Sequence, residues 1–152
     1  MANLFPDTDA FIWGDDSDKT AIESTEVVFG KSWRYDYDAG EFVLTPSGKV
    51  AVADEKEAWV QWCHKAILTP RYRHVIYSRD YGSELEELVG QGYGHAIMES
   101  EITRMVTETL LTDERTESVD QFTFKWVDDQ CVFTCRITSV QEDTQILESE
   151  VI

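Results

Sequence analysis

The sequence is poor in basic residues, and it contains no long apolar run. Its 152 residues include 13 Lys and Arg against 30 Asp and Glu, a formal net charge of −17. Nucleic acids and anionic membrane surfaces are bound through clustered cations, so we expect neither as a partner. Two explanations of the negative charge stay open: solubility alone, or partner proteins whose basic surfaces neutralise part of it.

The first sixteen residues, MANLFPDTDAFIWGDD, have no cationic start and no long apolar stretch. We therefore expect neither a secretory signal peptide nor a membrane span. We also expect the chain to be made, and to stay, in the reducing cytoplasm of a bacterium.

Cysteine is scarce as well, and the three residues cannot all pair with one another. They are Cys63, Cys131 and Cys135. The last two lie four apart in a strand-like segment, where their side chains share a face with Phe133 and Ile137. This pattern predicts thiols packed in the core and not a metal site.

Motifs of the common enzyme classes are also absent. His64, His74 and His95 lack the spacing of metal ligands, and the chain has no G-x-S-x-G, Walker-type or dinucleotide-binding loop. A glycosidase needs two suitably placed carboxylates, but 30 acidic residues always offer some pair. We interpret Glu84 and Glu114 as ordinary carboxylates at helix ends. We expect no catalytic residue, no cofactor and no metal.

Hydrophobic residues make up 42% of the chain and aromatic residues 12%, which is enough for the core of one domain. The segments TEVVFG, SWRYDYD and EFVLTP alternate apolar and polar residues and predict short strands, with a turn at residues 38–40. QFTFKWV and QCVFTCRITSV predict two strands joined by the turn DDQ.

Two helices are predicted between these strands. The first begins with Asp54 as N-cap and Glu57 as its capping-box partner, and it ends near Thr69 because Pro70 follows. The second covers residues 96–111, and SELEEL between them predicts a short helix. The inward stripes are predicted to be Trp59, Trp62, Cys63, Ala66 and Ile67 in the first helix, and Met98, Ile102, Met105, Val106 and Leu110 in the second.

The order strands, helix, helix, strands predicts an α+β fold in which helices pack on one face of an antiparallel sheet. We expect a single domain over residues 26–140. An extended N-terminal arm over 1–25 precedes it, with a short strand at 10–13. An acidic C-terminal strand or tail follows over 141–152, with an edge strand within 144–152.

The segment RYRHVIYSRDYGSEL, residues 71–85, places three arginines in nine positions of an otherwise acidic chain: Arg71, Arg73 and Arg79. Arginine forms planar bidentate bonds with carboxylates and stacks on aromatic rings. Three interpretations stay open. The cluster is an intramolecular clamp, a protein interface, or a site for an anionic substrate.

Linked motifs across residues 32–140 resemble one protein family. They are YDAGEF at 37–42, QW at 61–62, Thr69 followed by RY at 71–72, IY at 76–77 followed by DYG at 80–82, and an acidic-x-Arg segment at 113–115. With these motifs the chain resembles the small baseplate wedge or sheath-initiator proteins of contractile phage tails. The XkdS-type members of this family occur in defective phages and phage-tail-like bacteriocins. Residues 113–115 read DER, without the proline of the usual Glu-Pro-Arg or Asp-Pro-Arg.

The resemblance implies a structural role without catalysis. Such proteins sit in the baseplate wedge and link it to the tail tube. They bind other wedge subunits, tube or hub proteins and the tail sheath subunit, and the assembled baseplate is six-fold. They present strands onto which the first sheath ring assembles by strand exchange, for which residues 10–13 and 144–152 are candidates.

Two alternatives are kept beside this interpretation. One is a lysozyme-like peptidoglycan hydrolase, since some relatives have been given that label. The other is an acidic adaptor of an unrelated complex. The particle itself is an infectious phage, a defective prophage or a bacteriocin.

The resemblance also suggests sites. We expect Arg71, Arg73 and Arg79, with Asp80 and Gly82 shaping the turn, to anchor the link between the helices to the acidic 113–115 loop or to a neighbouring wedge subunit. The predicted structural and interface residues are Arg71, Tyr72, Arg73, Arg79, Asp80, Tyr81, Gly82, Asp113, Glu114 and Arg115. The predicted sheath contacts are Ile146, Leu147 and Val151.

Overall fold

Short strands, two helices and three longer strands follow one another along the chain. The computed structural model describes residues 26–151, so the predicted arm, its strand at 10–13 and Ile152 lie outside the described residues. The elements are β1 (Lys31–Trp33), β2 (Tyr35–Asp36), β3 (Glu41–Phe42), β4 (Val52–Asp54), α1 (Glu55–Leu68), a 3-10 helix (Leu85–Leu88), α2 (His95–Leu111), β5 (Thr116–Val127), β6 (Gln130–Ser139) and β7 (Thr144–Val151). The predicted α+β class is confirmed.

The last three strands form an antiparallel sheet in the order β5-β6-β7. The predicted tight turn joins β5 to β6, with Val127 paired to Gln130 on either side of residues 128–129. β7 is the predicted edge strand, and it pairs with β6 without a register shift. Successive side chains point to opposite faces, so only one face of the sheet enters the core.

Both helices cover that inner face, with α2 against β5 and α1 against β7. The buried core residues of these elements are Trp59, Cys63, Ile67, Ile102, Met105, Val106, Leu110, Cys131, Phe133, Cys135, Ile137, Leu147 and Val151. The predicted stripes are confirmed, except that Trp62 and Met98 are only partly buried. All three thiols are free and buried. The strand alternation predicted this for Cys131 and Cys135, and the helical stripe predicted it for Cys63.

The predicted capping box at the start of α1 is wrong. Asp54 precedes the helix, but its side chain makes no hydrogen bond to a helix N–H. Asp54 is also the last residue of β4, where it pairs with Lys31 of β1, and its carboxylate lies 3.4 Å from the Lys31 amino group. The Glu57 side chain binds the guanidinium of Arg34 instead. Both carboxylates therefore pair with basic residues of the segment 31–34 and do not cap the helix.

A buried glutamine holds the first strands on α1. The Gln61 side chain accepts a hydrogen bond from the Tyr35 N–H at 3.3 Å and donates one to the Tyr35 carbonyl at 3.1 Å. The Tyr37 hydroxyl donates to the Gln61 carbonyl at 3.1 Å, and its ring stacks on His64 with centroids 4.9 Å apart. The glutamine amide thus satisfies backbone groups as a neighbouring strand would.

Candidate functional site: a clamped loop and a free strand edge

The segment between α1 and the 3-10 helix is a loop whose two ends are tied together. The Arg71 N–H donates to the Ser83 carbonyl at 2.8 Å, and the Ser83 N–H donates to the Thr69 carbonyl at 2.9 Å. The Ser83 hydroxyl donates to the Ile67 carbonyl at 2.6 Å. We call residues 70–83 the clamped loop, since these bonds close its base on the end of α1.

The Arg71 guanidinium fills the base of the clamped loop, and its side chain is only 9% exposed. It donates to the Gly82 carbonyl at 3.0 Å and to the carboxylates of Glu108 at 2.9 Å and Glu84 at 3.5 Å. Burial alone would lower the pKa of Arg71, but the hydrogen bond and charge of Glu108, with the charge of Glu84, raise it above its ordinary value. Of the open interpretations, this geometry is that of an intramolecular clamp.

Gly82 is required where the two sides of the clamped loop meet. Its φ is +99°, and a Cβ added there would lie 2.6 Å from the Thr69 carbonyl oxygen. The Gly82 carbonyl also accepts hydrogen bonds from Arg71 and, at 3.3 Å, from the buried hydroxyl of Thr109 in α2. Only glycine combines this backbone conformation with so close an approach of another backbone.

The predicted anchor of the arginine cluster to the 113–115 loop is not the contact that forms. Arg71 reaches α2 through Glu108, and the carboxylate of Asp113 is bound by Arg115 at 2.6 and 2.8 Å. Asp113 and Arg115 lie two residues apart after the end of α2, so their side chains pair locally. The Asp113 carboxylate is then already bound and does not pair with a more distant cation. Glu114 between them is exposed.

Arg115 itself ties together distant parts of the chain. Its guanidinium donates to the Phe29 carbonyl at 2.8 Å and lies 5.7 Å from the centre of the Trp62 ring. Its own carbonyl accepts the Val140 N–H at 3.0 Å. The hydrogen bond with Asp113 raises the pKa of Arg115, although burial opposes it. The acidic-x-Arg segment is therefore a structural junction.

The tip of the clamped loop is exposed and apolar. Ile76 is 88% exposed, and Tyr72 and Val75 are exposed beside it. Tyr72 has a φ of +66°, which is unusual for a residue other than glycine. The tip is held from within by Tyr81, whose ring packs on Tyr77 at 4.7 Å and on Trp62 at 5.8 Å.

The other charged residues of the cluster lie on this exposed tip. Arg73 pairs with Glu86 at 3.0 Å, in an exposed ion pair that contributes about 0–1 kcal/mol. Arg79 makes no ion pair within residues 26–151, and no side-chain hydrogen bond of Asp80 is found there either. Asp80 lies inside the turn that the Tyr81 N–H closes on the Ser78 carbonyl at 3.3 Å, and Gly82 makes the close backbone approach at the base of the clamped loop.

Among residues 26–151, β7 leaves one row of its backbone groups without a partner strand. The Ser139 N–H donates to the Asp143 carbonyl at 2.8 Å, so residues 139 and 143 face each other at a hydrogen-bonding position. Antiparallel pairs alternate between hydrogen-bonded and non-bonded. The register of β6 and β7 is uniform, so this alternation continues along the whole of β7. The backbone N–H and C=O groups of residues 144, 146, 148 and 150 therefore point away from β6, toward the free side of the strand.

The opposite edge of the sheet, β5, is much less regular. Its pairing with β6 shifts register between Thr116 and Ser118 and again between Asp120 and Thr123. Gln121, inside the second shift, has a φ of +51°. Bulges of this kind twist an edge and interrupt further pairing. Of the two edges, β7 is the one whose pairing shows no register shift.

The structure separates the three predicted sheath contacts. Ile146 is 73% exposed on the outer face of the sheet. The side chains of Leu147 and Val151 are buried in the core, so as contacts of the sheath these two residues stay a prediction. In β7 these two residues share the inner face, as the two-residue period of a strand requires. Their backbone is nevertheless part of the edge strand.

The described residues offer little chemistry of their own. Among residues 26–151 no group of three or more His, Cys, Asp or Glu side chains could hold a metal ion, and no helix is long and apolar enough to cross a membrane. Burial raises the pKa of Cys63 and of Cys135 to about 12. Glu84 lies against Arg71, and Glu114 neighbours an Asp113 that Arg115 already binds. The hydrolase alternative gains no support from this geometry.

Two features were missed in the sequence. The QW motif contains Gln61, but no pattern in the sequence indicates that its amide holds the first strands. A second exposed apolar pair consists of Trp33 of β1 and Val52 of β4, which lie opposite each other. The alternation in SWRYDYD predicted a strand there, but a two-residue period does not say which face the core covers.

Comparison with known proteins agrees with the interpretation of the motifs. A family model described as contractile injection system sheath initiator matches residues 31–143, from β1 through the turn before β7. The phage-like element PBSX protein XkdS of Bacillus subtilis (strain 168) is 28% identical over 102 residues, which cover 66% of this chain and 68% of that protein. The matched residues include the clamped loop and the 113–115 junction. The chain therefore belongs to the family of contractile injection system sheath initiators.

Proposed function

We propose that the chain starts sheath assembly in a contractile tail by pairing the free edge of β7 with a strand of the first sheath subunits. The observation that carries this proposal is the regular row of outward backbone groups on β7, opposite a β5 edge that is bulged. A strand added there satisfies backbone donors and acceptors along its length. The family to which the chain belongs supplies the kind of partner.

The side chains of β7 favour a foreign strand over a second copy of the same one. Glu148 and Glu150 both point outward and are exposed. Two β7 strands side by side would bring these carboxylates together, and like charges on neighbouring strands are destabilising. A partner strand with basic residues on that face would instead be attracted to these carboxylates.

The proposal extends to the other partners and to the place of action. We propose that the chain is made in the bacterial cytoplasm and enters the baseplate in six copies. There it links the wedge to the tail tube and catalyses no reaction. The exposed tip of the clamped loop, with Val75 and Ile76, is the surface we assign to wedge or tube proteins. Apolar side chains on a rigid loop cost little entropy when a partner covers them.

The test of strand addition replaces one N–H on the free edge. Proline at residue 148 removes a backbone N–H that points away from β6, and it leaves the hydrogen bonds between β6 and β7 intact. Edge strands tolerate proline at such positions. Glu148→Pro should keep the fold and lose the ability to nucleate sheath on purified baseplates. Glu148→Ala removes the same carboxylate but keeps the N–H, so it serves as the matched control and should still nucleate sheath, with at most the loss of one charge pair.

One result decides against strand addition, once both variants melt cooperatively near the wild-type temperature. Sheath growth on Glu148→Pro baseplates at the wild-type rate would show that β7 is not the strand that pairs. If Glu148→Pro does not fold, Glu150→Pro, near the end of the strand, makes the same change at another outward N–H.

A further inference from the structure

A groove runs beside the free edge of β7, beyond the sheet itself. Its volume is about 290 Å³, and no residue of β5 or β6 lines it. Ile67, Leu85 and Val151 form its floor, and all three are buried. Leu68, at the end of α1, and Val89, after the 3-10 helix, line the groove and are 53% and 49% exposed. Pro70, Ser83, Glu86 and Glu150 also line it.

The groove lies where the next strand of the sheet would place its inward side chains. Ser149 lines it and stands on the inner face of β7, opposite Phe133 of β6. A strand added beside β7 continues this alternation, so its residue next to Ser149 points into the groove. The small Ser149 side chain leaves that space open. The groove is therefore continuous with the edge proposed to accept a strand.

The outer face of β7 carries acidic side chains and so favours a partner strand with basic ones. At the same end of the strand its outward residues are Glu148 and Glu150, and Glu150 accepts a hydrogen bond from Gln130 at 2.7 Å. The whole chain carries a net charge of −17. A neighbouring strand with lysine or arginine at its outward positions pairs favourably with these carboxylates.

We propose that this groove selects the strand that joins β7, and that the selected strand of the sheath subunit alternates apolar residues facing the groove with basic residues facing outward. This inference rests on the proposed function, because it names the chemistry of the strand that β7 receives. It adds a site, the groove lined by Leu68 and Val89, which takes an apolar side chain.

A matched pair of leucines tests the groove. Leu68 is the last residue of α1, and Leu111 is the last residue of α2, away from the groove and 47% exposed. A cation at a helix C-terminus is favourable, so lysine at either position should leave the fold intact. Leu68→Lys should weaken binding of the purified sheath subunit by at least about tenfold, since a charge then occupies an apolar site. Leu111→Lys should change it by less than about twofold.

The outcomes separate this inference from the proposed function. If Leu68→Lys binds the sheath subunit like wild type while Glu148→Pro does not bind, the groove plays no part, although strand addition stands. If both variants bind like wild type, strand addition at β7 is itself overturned. Should Leu68→Lys fail to fold, Val89→Lys tests another residue of the same groove.

Salt tests the basic face of the selected strand. Binding of the sheath subunit should weaken as ionic strength rises from about 0.05 to about 0.5 M. This dependence should shrink when Glu148 and Glu150 are both replaced by Gln. A salt dependence that the double variant leaves unchanged would overturn the basic face.

Discussion

Replacing Gly82 by alanine tests whether the base of the clamped loop is as tightly built as the contacts indicate. Two costs add at this position. A backbone φ of +99° is unfavourable for alanine by about 1–2 kcal/mol. The new Cβ would also lie 2.6 Å from the Thr69 carbonyl oxygen and 3.1 Å from the Arg71 nitrogen, which are backbone atoms that cannot turn aside. Shifting them costs about a further 1–3 kcal/mol.

The free energy of unfolding should therefore fall by about 2–5 kcal/mol, and the melting temperature by roughly 5–15 °C. Urea unfolding followed by circular dichroism measures the first quantity, and a thermal scan the second. Such a loss is a large part of the stability of a domain of this size, about 5–15 kcal/mol.

Gly90 offers a control for the backbone term alone. Its φ is +79°, but an added Cβ would meet no atom within 4 Å. Gly90→Ala should then cost only about 1 kcal/mol. If Gly82→Ala and Gly90→Ala lowered the free energy of unfolding equally, the close approach to Thr69 would not matter and the reasoning would be refuted.

Three further predictions concern the clamp, the core and the loop tip. Arg71→Ala should cost about 2–4 kcal/mol in urea unfolding, because it removes a buried guanidinium from its carboxylates, whereas Arg73→Ala should cost less than about 1 kcal/mol; equal losses would contradict the clamp. The thiol pKa values of Cys63 and Cys135 are higher in the folded chain than in the unfolded chain, so between pH 9 and about 12 the unfolded chain ionises first. Ionisation favours the unfolded state there, and stability should therefore fall as pH rises from 9 toward about 12. The urea midpoint should thus drop between about pH 8 and about pH 10.5, less so in the double Cys→Ala variant, and an equal drop in both proteins would exclude the thiols. Ile76→Glu should leave the melting temperature unchanged but keep the chain out of assembled baseplates, and normal incorporation would show that the tip binds nothing there.

The periodic parts of the fold could be read from the sequence. α1 was predicted to end near Thr69 and ends at Leu68, and α2 was predicted over 96–111 and begins at His95. Both helices repeat apolar residues every three to four positions over several turns. A pattern of this length predicts a helix whichever contacts its individual residues make. The hairpin of β5 and β6 was predicted for the same reason, with a two-residue period on either side of DDQ.

Contacts between distant segments could not be read in this way. Asp54 has the sequence context of an N-cap, but pairing between β1 and β4 also claims it. Arg71 was matched with the acidic 113–115 loop, whereas packing of α2 brings Glu108 to it. Nothing in the spacing of these residues reveals which helix face meets the loop. For the same reason Leu147 was predicted as a contact, although its place on β7 points it into the core.

The proposed function depends on one physical property of the chain, the backbone edge of β7 that points away from β6. Hydrogen–deuterium exchange of the β7 amides, in the free chain and in sheathed particles, tests it most directly. The outward N–H groups of Ile146 and Glu148 should exchange rapidly in the free chain and about a hundredfold more slowly in the sheathed particle, once a partner strand accepts them. Equal exchange in both states would contradict the account, since those groups would still face water after the sheath has formed.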